Sequence, residues 1–569
     1  MRECQRAIER RRAPIALSEP RIRVIPLGGL GEIGMNMVLL DTGEDLLVVD
    51  AGLMFPEEEM LGIDLVLPEF TYLLEQRDRV RGIFLTHGHE DHTGALPYLL
   101  PHLPVPVYGT RLVLALVADK LREFGLEAQA DLRPIRSGEA VRAGGVDLEF
   151  VHVSHSIPDG VAVVASTPAG RVIHTGDFKF DEAPVDGEPT DLGRLEALGR
   201  EGVLLLLSDS TNALREGATA SESSVRRAFQ DIFAAAPRRI IVACFASNIH
   251  RIQQVLDVAA GLGKKVAVNG KSMLANTRIA AELGYLTVPP DTLVRLDELS
   301  RLPPDAGVIL TTGSQGEPLS AVARMAVGEH KQIEIEPGDT VVFSARVIPG
   351  NEQSIARTVN NLFKRGARVI TEEMHPGVHV SGHPSRHELL RMLALTRPRF
   401  FVPVHGEYRH LHAHAELARG AGLPADRVFL LEDGQVLELT PSAGRLDGSV
   451  AAGRVLVDGK RLGDVGETVL RDRQHLAQDG MLVVVVGFDK SGSVVAGPDI
   501  VSRGFAHLTE DDAILEEART LIVTVLEGVS VEEKTDFALI KQRIRSVLRK
   551  FLKRRLERHP MILPVIIEV

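Results

Sequence analysis

The sequence predicts an α/β protein in which layers of sheet and helix are built into several domains. Short apolar runs typical of buried strands alternate with segments of helical spacing along most of the chain. From about residue 221 this alternation becomes regular, which indicates a series of βα units and a parallel sheet. The length of 569 residues exceeds what one hydrophobic core accommodates and corresponds to roughly three or four domains.

Composition excludes several classes of protein. The chain is 44% hydrophobic and 25% charged, as expected for globular domains. Its two cysteines exclude a disulfide scaffold and a cysteine-based zinc site, and they fit a reducing compartment, so we expect a cytoplasmic location. No apolar run is long enough to cross a bilayer, so we expect no membrane association. The net charge of −12 argues against a general nucleic-acid binder, unless bound cations and a local basic strip hold the substrate.

The first half of the chain reads as strands followed by helices and further strands. We predict strands at 22–27, 37–40, 46–49, 146–153, 161–166 and 172–174, and helices at 96–100 and 112–124. Gly29, Gly31 and Gly34 match a dinucleotide-binding pattern, but that motif must open a helix, and here a strand follows. We therefore expect a tight turn beside a metal site. Asp50 ends a strand and is a candidate for orienting a metal ligand.

The second half alternates helices with strands. We predict helices at 225–235 and 249–260, and strands at 240–244, 266–269 and 308–312. The loop Gly313–Glu317 follows a strand and precedes a helix predicted near Pro318, which suits an anion at a helix N-terminus, with Ser314 and Gln315 in contact. A simple tight turn is the alternative interpretation of this loop.

The strongest chemical signal is the run Thr86–Gly94, which follows the apolar residues 83–85. Its H-x-H-x-D-H spacing places three imidazoles and a carboxylate on one strand–loop junction. His87 and His89 can share one ion, while Asp91 and His92 face a second. Because several potential ligands lie so close together, the pattern favours a metal site over a solvated loop.

Three later positions have the same strand-end context. His155, Asp177 and His405 each follow an apolar strand, and Asp177 could bridge two ions. Each alone could be a structural or solvated residue. Together with the first motif they predict a centre that holds two metal ions.

These residues resemble the five motifs of the metallo-β-lactamase superfamily, here Asp50, the 87–92 run, His155, Asp177 and His405. The interval of more than 200 residues between Asp177 and His405 resembles the insertion of the β-CASP nuclease branch. The segments 208–212, 379–383 and 404–407 resemble motifs of that branch, with Asp209, His383 and His405 as key residues. Histidine at 405 favours RNA over DNA as the substrate.

Within that branch the chain is most similar to the ribonuclease J family. Six phrases carry the similarity, namely Gly28–Asn36, Thr86–Gly94, His155–Asp159, Thr312–Pro318, Ile348–Glu352 and His379–His383. Ser344-Ala345-Arg346 departs from a more serine-rich loop in the family. The similarity covers most of the chain except the first twenty residues.

The resemblance implies a metallo-β-lactamase αββα sandwich with an inserted β-CASP α/β domain and a small α+β C-terminal domain. The implied limits are a disordered extension at 1–20, the metallo-β-lactamase domain at 21–220 and 368–448, the β-CASP domain at 221–367, a linker at 449–456 and the C-terminal domain at 457–569.

The resemblance also implies a metal-dependent ribonuclease of RNA decay and maturation, a 5′-to-3′ exonuclease preferring 5′-monophosphate ends, with endonuclease activity besides. Two Zn²⁺ ions per chain would be held by His87, His89, Asp91, His92, His155, Asp177 and His405, with Mn²⁺ or Mg²⁺ as a further activating ion. Asp91, His383 and Asp209 would be catalytic, and Ser344, His379, Ser381 and Gly382 would bind the terminal phosphate. The implied partners are single-stranded RNA, a second copy in a homodimer or further copies in a tetramer, and RNA-decay proteins.

Several alternatives stay open from sequence. The chain could be a DNA-processing nuclease of the same branch or a non-catalytic RNA-binding scaffold. The basic segment Lys541–Arg558 is either a helix that faces RNA or a partner, or a domain helix with a solvated basic face. His410, His412 and His414 are predicted on a solvated helix, and the apolar run Met561–Ile567 is a strand at a domain or subunit interface.

Overall fold

The computed structural model of the protein describes residues 19–57, 59–317, 320–348, 351–459, 461–463, 465–489, 493–504, 512–529 and 536–569. All but the last two residues of the expected disordered extension lie outside this part, as do Pro318, Pro349 and Gly350 of the phrases quoted above. The described residues form two compact units. One extends to Phe55 and resumes over Val66–Val455, and the other comprises Pro56–Leu65 and Leu456–Val569.

Strands and helices alternate along the chain. The strands are Ile22–Gly28, Leu30–Gly31, Met37–Asp41, Leu46–Val49, Leu65–Pro68, Val80–Phe84, Val107–Gly109, Leu132–Pro134, Ala140–Ala143, Val146–His152, Val161–Thr167, Gly170–His174, Leu205–Asp209, Ile240–Ala243, Lys265–Asn269, Gly307–Thr311, Thr340–Phe343, Arg368–Ile370, Phe400–Val404, Gly406–Glu407, Gln435–Leu439, Gly444–Ser449, Arg454–Asp458, Arg461–Leu462, Met481–Phe488, Val494–Arg503 and Met561–Glu568. The α-helices are Thr71–Glu75, Glu90–Thr93, Leu96–Leu99, Arg111–Glu123, Leu192–Glu201, Val225–Ala235, Ile249–Gly261, Lys271–Leu283, Leu296–Leu299, Ala321–Val327, Glu352–Lys364, Arg386–Thr396, Tyr408–Gly420, Glu467–Asp479, Asp512–Glu527 and Phe537–Leu556.

Two large sheets of the first unit pack face to face. The eight-stranded sheet has the order 444–449, 435–439, 22–28, 37–41, 46–49, 80–84, 107–109 and 132–134, and the six-stranded sheet has the order 400–404, 205–209, 170–174, 161–167, 146–152 and 140–143. Val38 and Phe84 of the first sheet share one buried core with Val163 and Val402 of the second. Burying both inner faces in this way is the main stabilising contribution to a two-sheet layer.

Helices cover the outer faces of both sheets. Leu195, Leu389 and Ala415, from three helices, pack with Ile173 and Leu206 on the outer side of the six-stranded sheet. Arg111–Glu123 packs on the end of the eight-stranded sheet. The predicted αββα sandwich is therefore confirmed.

A five-stranded sheet forms the insertion. Its order is 265–269, 307–311, 240–243, 340–343 and 368–370, and every neighbouring pair is parallel, as the βα series predicted. Ile240 and Val242 point to the core shared with the helices at 225–235 and 249–261, whereas Ile241 and Ala243 point to the opposite core. Both faces are thus covered, as parallel sheets require. The last strand ends three residues beyond the predicted limit at 367.

The C-terminal unit is an α+β arrangement, as predicted. Its three-stranded sheet has the order 494–503, 481–488 and 561–568, with helices 512–527 and 537–556 sharing the core. The strand predicted at Met561–Ile567 pairs in parallel with 481–488 inside this unit. Residues 56–65 belong here too, since Asp64 N donates to Val457 O at 2.9 Å. None of the helices in the described part combines the length and apolar character needed to cross a membrane.

Candidate metal centre

The candidate ligands lie where neighbouring strands end. His155, Asp177 and His405 follow the strands 146–152, 170–174 and 400–404, and Asp209 is the last residue of 205–209. Strand 205–209 runs parallel to both 170–174 and 400–404, so the carboxyl ends of these three strands share one sheet edge. The run from His87 to His92 follows the strand 80–84 of the other sheet. Strand ends from both sheets therefore bring the candidate ligands together at one point.

Four residues form the first ligand group, His87, His89, His155 and Asp177, whose ligand atoms all lie within 4.8 Å of one another. His89 Nδ1 is 3.0 Å from His87 Nε2 and 3.2 Å from His155 Nε2. Asp177 Oδ2 is 3.6 Å from His87 Nε2. Three imidazole nitrogens and one carboxylate directed at a common point form a donor set that suits zinc.

The second group is Asp91, His92, Asp177 and His405. Asp177 Oδ2 lies 3.3 Å from His92 Nε2 and 3.5 Å from His405 Nε2, and Asp91 Oδ2 lies 3.3 Å from His405 Nε2. Both carboxylate oxygens of Asp177 are buried and have no hydrogen-bond donor among the residues that the structure describes. A buried carboxylate without donors is costly unless cations compensate it, so the two groups fit metal ions with Asp177 shared between them.

A third group overlaps the second and contains Asp209 and His383 in addition to Asp177 and His405. His383 Nδ1 lies 2.8 Å from Asp209 Oδ2 and 3.8 Å from Asp177 Oδ2. Asp209 is fully buried, whereas the side chains of His383 and Asp91 are 21% and 30% exposed. A substrate can therefore approach the centre from the side of these two residues.

Hydrogen bonds to the far ring nitrogens orient the imidazoles. Nδ1 of His92 contacts Asp50 Oδ2 at 2.7 Å, Nδ1 of His155 contacts Gly382 O at 2.8 Å, and Nδ1 of His405 contacts Thr211 Oγ1 at 2.7 Å. With Nδ1 engaged in this way, Nε2 of each ring is left to bind a metal. Such contacts fix the ring and its tautomer in metal sites generally.

The backbone is locally strained at two of these positions. Asp50 and His405 have φ values of 61° and 56°, in the left-handed region that residues with a Cβ atom rarely adopt. Gly382 has no room for a side chain, since a Cβ atom there would lie 2.6 Å from a ring carbon of His155. These features hold side chains at fixed positions around the centre, as strained residues at functional sites commonly do.

Burial and the neighbouring charges set the protonation of the centre. Burial lowers the pKa of His87, His89 and His155, that of His89 to about 4, which favours the neutral ring that binds metals. Burial also acts to lower the pKa of His405, but Asp177 and the hydrogen bond to Asp91 outweigh it and raise that pKa to about 9. Burial would raise the pKa of Asp177, but the histidines around it hold that pKa well below its usual range. The Asp177 carboxylate is therefore ionised.

Replacing Asp50 by asparagine is expected to weaken metal binding by about 10–100-fold, the usual effect of losing an outer carboxylate partner. Asp50 accepts hydrogen bonds from the backbone N and the Oγ1 of Thr86, both at 2.8 Å, in addition to its contact with His92. A competition titration against a chromogenic chelator measures the affinity. Asp147→Asn, at an exposed carboxylate, is the matched control. An unchanged affinity of the Asp50 variant would contradict the orienting role.

The glycine turn adjoins the centre. Gly29 O accepts a hydrogen bond from His405 N at 3.1 Å, and Leu30–Gly31 pairs with Gly406–Glu407. Strand 37–41 follows this turn, so the helix that a dinucleotide site requires does not occur here. Glu32 in the turn forms an ion pair with Arg454, in which Glu32 Oε2 lies 2.9 Å from Arg454 Nη2.

Asp433 gives the fold a pH dependence that can be measured. Burial and the charge of Glu32 raise the pKa of the Asp433 carboxyl from 3.8 to about 8. Because the folded state holds this proton more tightly than the unfolded chain, its contribution to stability is complete below the unfolded pKa and declines until the pH passes about 8. We expect the melting temperature of the wild type to fall, relative to that of Asp433→Asn, as pH rises across this interval. Thermal unfolding of both proteins over a pH series tests this, and a difference independent of pH would contradict it.

Some of the predicted phosphate-binding residues line a cavity, and others are buried beside it. Ser381 accepts a hydrogen bond from Asn212 Nδ2 at 2.8 Å, and His379 and Ser381 line a cavity of about 390 Å³ together with Arg215. Ser344 is buried, and its hydroxyl donates to Val378 O at 2.7 Å. Gln315 is buried too and braces the segment at 346–348, since its amide donates to Arg346 O and accepts from Ile348 N.

One sequence prediction beside this loop needs correction. The helix expected near Pro318 begins at Ala321, and the Ser320 side chain accepts a hydrogen bond from Ala323 N and so caps it.

The prediction of a solvated helix at His410, His412 and His414 also needs correction, because His410 and His414 are not solvated. His414 is fully buried, with Nδ1 3.0 Å from Ser210 Oγ, and of the three histidines only His412 is exposed. The strand Phe400–Val404 packs beneath this helix, so one helical face is covered.

Sequence reasoning missed two polar residues of the site. Asn36 Nδ2 lies 3.1 Å from His92 Nε2 and also donates to Asp91 O. Thr211 lies beside His405, with Oγ1 2.7 Å from Nδ1, although the motif at 208–212 predicts only Asp209 as a site residue. Both residues lie in family-like segments, Gly28–Asn36 and 208–212, and each lies beside the end of a strand at the site. That placement could have identified them from sequence.

The sandwich fold and these ligand groups define a metal-dependent hydrolase of the metallo-β-lactamase type. The family model for the metallo-beta-lactamase superfamily matches residues 30–242, and that for the Zn-dependent metallo-hydrolase RNA specificity domain matches 366–429.

The matches become more specific in the rest of the chain. The family models for the ribonuclease J beta-CASP domain and the ribonuclease J C-terminal domain match residues 237–362 and 468–569. Ribonuclease J2 of Bacillus subtilis is 43% identical over 96% of this chain and 99% of its own length. Ribonuclease J 1 of Streptococcus pyogenes is 41% identical over 97% and 99%, and ribonuclease J 2 of Staphylococcus aureus is 39% identical over 96% and 98%. The chain belongs to the ribonuclease J family.

One solved structure illustrates how far the fold extends beyond close relatives. A protein of unknown function from Enterococcus faecalis V583 superposes with a TM-score of 0.52 at 15% identity, over 74% of this chain and 100% of that one. At this identity the likeness concerns the fold alone.

Proposed function

We propose that this protein degrades RNA as a 5′-to-3′ exonuclease that prefers 5′-monophosphate ends, and that the same centre cuts internally as well. Membership of the ribonuclease J family makes it a metal-dependent ribonuclease. The observation that carries the proposal is the buried Asp177 carboxylate, which lies among imidazoles of both ligand groups and lacks hydrogen-bond donors within the described residues.

We propose two Zn²⁺ ions per chain, with Mn²⁺ or Mg²⁺ as a further activating ion. His87, His89 and His155 would hold one ion and Asp91, His92 and His405 the other, with Asp177 between them. When bound, such ions act as Lewis acids on the phosphate and lower the pKa of water. The chain itself contributes a buried, preoriented donor set and excludes bulk water from it.

His383 and Asp209 are proposed to move a proton. The 2.8 Å contact with Asp209 keeps the His383 ring in one orientation. Burial acts to lower the pKa of His383, but Asp209 and Asp177 together outweigh it and raise that pKa. A protonated His383 can donate to the departing oxygen of the cleaved phosphodiester, or stabilise charge on the phosphate.

Replacing His383 by glutamine is expected to lower the rate of RNA hydrolysis by about 10²–10⁴-fold, the usual contribution of a general acid. Bound metal should remain, which elemental analysis checks. A substrate with sulfur in place of the departing oxygen needs no proton, so its cleavage by the variant should approach that by the wild type. If the sulfur substrate shows the same loss, His383 stabilises the phosphate and does not act as the acid.

The preference for a 5′-monophosphate is proposed to come from Ser344, His379, Ser381 and Gly382, with Ser314 and Gln315 shaping the neighbouring loop. The cavity beside His379 and Ser381 and the partly buried Arg215 in its wall support this placement. A terminal phosphate held there would fix the distance from the RNA end to the metal centre, and so the length of the product.

The test compares matched 5′-monophosphate and 5′-hydroxyl RNAs and a DNA of the same sequence, with products resolved by length. Asp91→Ala protein controls for contaminating nuclease. Mononucleotides released mainly from the monophosphate RNA would support the exonuclease and its pocket. Internal fragments irrespective of the 5′ end would remove the pocket but keep the nuclease, and cleavage of the DNA alone would favour the DNA-processing alternative. Absence of metal-dependent cleavage would favour the non-catalytic scaffold.

The remaining expectations stay proposals. We propose the predicted domain limits, with residues 56–65 moved to the C-terminal domain and strand 368–370 to the inserted domain. We also propose single-stranded RNA as the substrate, a homodimer or tetramer as the assembly, and contacts with RNA-decay proteins. Sedimentation of the purified protein tests the assembly.

A further inference from the structure

The helix Phe537–Leu556 of the C-terminal unit has two opposite faces. Ile540, Ile544, Leu548 and Leu552 recur every four residues and are at most 1% exposed, packed in the core of the unit. The opposite face carries Arg545, Arg549 and Lys553, also four residues apart, with Lys550 and Arg554 beside them, and all five are exposed. We call these five residues the basic face.

The helix is unusual in its charge. It contains eight lysine and arginine residues and no acidic residue, in a chain of net charge −12. Cations four residues apart on a helix are separated by about 6 Å along its axis. The basic face is thus a short row of positive charges on a protein that is acidic elsewhere.

Within the described part of the chain, most of the basic face has no anionic partner. No hydrogen bond or ion pair joins Arg549, Lys550, Lys553 or Arg554 to any residue that the structure describes. By contrast, Arg555 on the flank of the helix pairs with Glu517 at 2.7 Å. Four neighbouring cations that have no counter-charge among the described residues repel one another, so a bound polyanion would be favourable.

We infer that the basic face binds the phosphate backbone of the RNA substrate outside the metal centre; this inference rests on the proposed function. The chemistry of the face supports RNA over other partners. All five of its residues are charged, whereas the buried centre of a stable protein interface is apolar and depleted in charged residues. A membrane surface is disfavoured because the apolar side of the helix is already buried and cannot insert.

Replacing Arg549, Lys550, Lys553 and Arg554 together by glutamine in the full-length protein tests the inference. Glutamine keeps helix propensity and removes the charge. The matched control exchanges lysine and arginine at the same four positions and so keeps the charge. Binding of a long unstructured RNA is measured with a chelator present, as a function of salt concentration.

We expect the glutamine variant to bind RNA at least about 10-fold more weakly. The slope of log affinity against log salt should fall by about 3, since each phosphate contact to a single strand contributes about 0.7. The charge-keeping control should bind like the wild type. Metal content and cleavage of a 5′-phosphorylated trinucleotide should be unchanged in both variants, because such a short substrate needs no contact outside the centre.

Other outcomes separate this inference from the proposed function. Unchanged affinity and slope would overturn the inference, as would a loss of binding that merely accompanies dissociation of an assembly in sedimentation. A wild type that binds RNA but does not cleave it would overturn the proposed function alone, and the slope would still decide the inference. A wild type that neither binds RNA in the presence of the chelator nor cleaves it with metal present would overturn both.

Discussion

Asp177→Asn protein is expected to lose most of its bound metal, and its rate of RNA hydrolysis should fall by about 10³-fold or more. Removing a single preorganised charge or donor from an active site commonly costs about 10²–10³-fold, and here one carboxylate serves both ligand groups. Its Oδ2 atom lies within 3.8 Å of ring nitrogens of five histidines, His87, His92, His155, His383 and His405. Asparagine preserves the shape of the side chain but not its charge, so the imidazoles remain while the counter-charge for the ions is lost.

Elemental analysis after dialysis and single-turnover cleavage of a 5′-monophosphate RNA measure the two effects. Asp186→Asn is the matched control, because Asp186 follows in the same stretch of chain and belongs to none of the ligand groups found among the described residues. Thermal unfolding in the presence of a chelator shows whether either variant is misfolded. Normal metal content and a normal rate in Asp177→Asn would contradict a bridging role.

The convergence of the candidate ligands could be predicted because the strand end before each of them is encoded locally. An apolar run followed by histidine or aspartate identifies a strand end without knowledge of the remainder of the fold, as at Val404-His405 and Phe84-Leu85 before His87. Parallel neighbours then bring such ends to one edge, which the pairing of 205–209 with 400–404 shows. A dinucleotide site at the glycine turn 29–34 could be excluded in the same way, because the sequence after the turn predicts a strand and not a helix.

Burial that depends on distant packing could not be predicted. His410 and His414 are four residues apart and so share one helical face, but only the contact with the strand at 400–404 shows that this face is covered. Residues 56–65 fall within the predicted limits of the first domain, and only hydrogen bonds such as those with Val457 and Arg473 show that they belong to the C-terminal unit. Arg251 is the clearest case, because nothing in a helical sequence I-H-R-I marks an arginine that is 0% exposed.

Arg251 lies in a buried ionic network within the first unit. Its Nε donates to Glu222 Oε1 at 2.8 Å, and its Nη1 donates to Ser344 O at 2.9 Å and to the Ser344 hydroxyl. On the other side of the network Lys179 pairs with Asp181 at 3.1 Å and lies 4.0 Å from Glu222. The arginine therefore compensates a buried carboxylate and holds the segment that carries Ser344.

Replacing Arg251 by methionine is expected to destabilise the first unit by about 3–5 kcal/mol, the usual cost of leaving one member of a buried ion pair uncompensated. Methionine fills much of the volume, so the loss reflects charge and hydrogen bonds more than a cavity. Because a protein of several domains need not unfold in one step, the comparison uses the urea midpoint of the transition that reports on the first unit. Arg122→Met, which removes an exposed pair with Glu127 at 2.7 Å, should leave that midpoint nearly unchanged, because solvent screens exposed ion pairs.

A second substitution distinguishes an uncompensated charge from lost packing. If the penalty arises from Glu222, then adding Glu222→Gln to Arg251→Met should recover part of the stability, and the double variant should lose less than the sum of the two single variants. Additive losses would indicate that the two residues act independently, in which case the donation of Arg251 to Ser344 carries the effect. The preference for 5′-monophosphate RNA is then measured on the two single variants and the double variant, which separates the effect on Ser344 from the effect on stability. It should weaken wherever Arg251 is absent, because Ser344 loses its partner, and it should persist in Glu222→Gln alone, where Arg251 still contacts the segment that leads to His379.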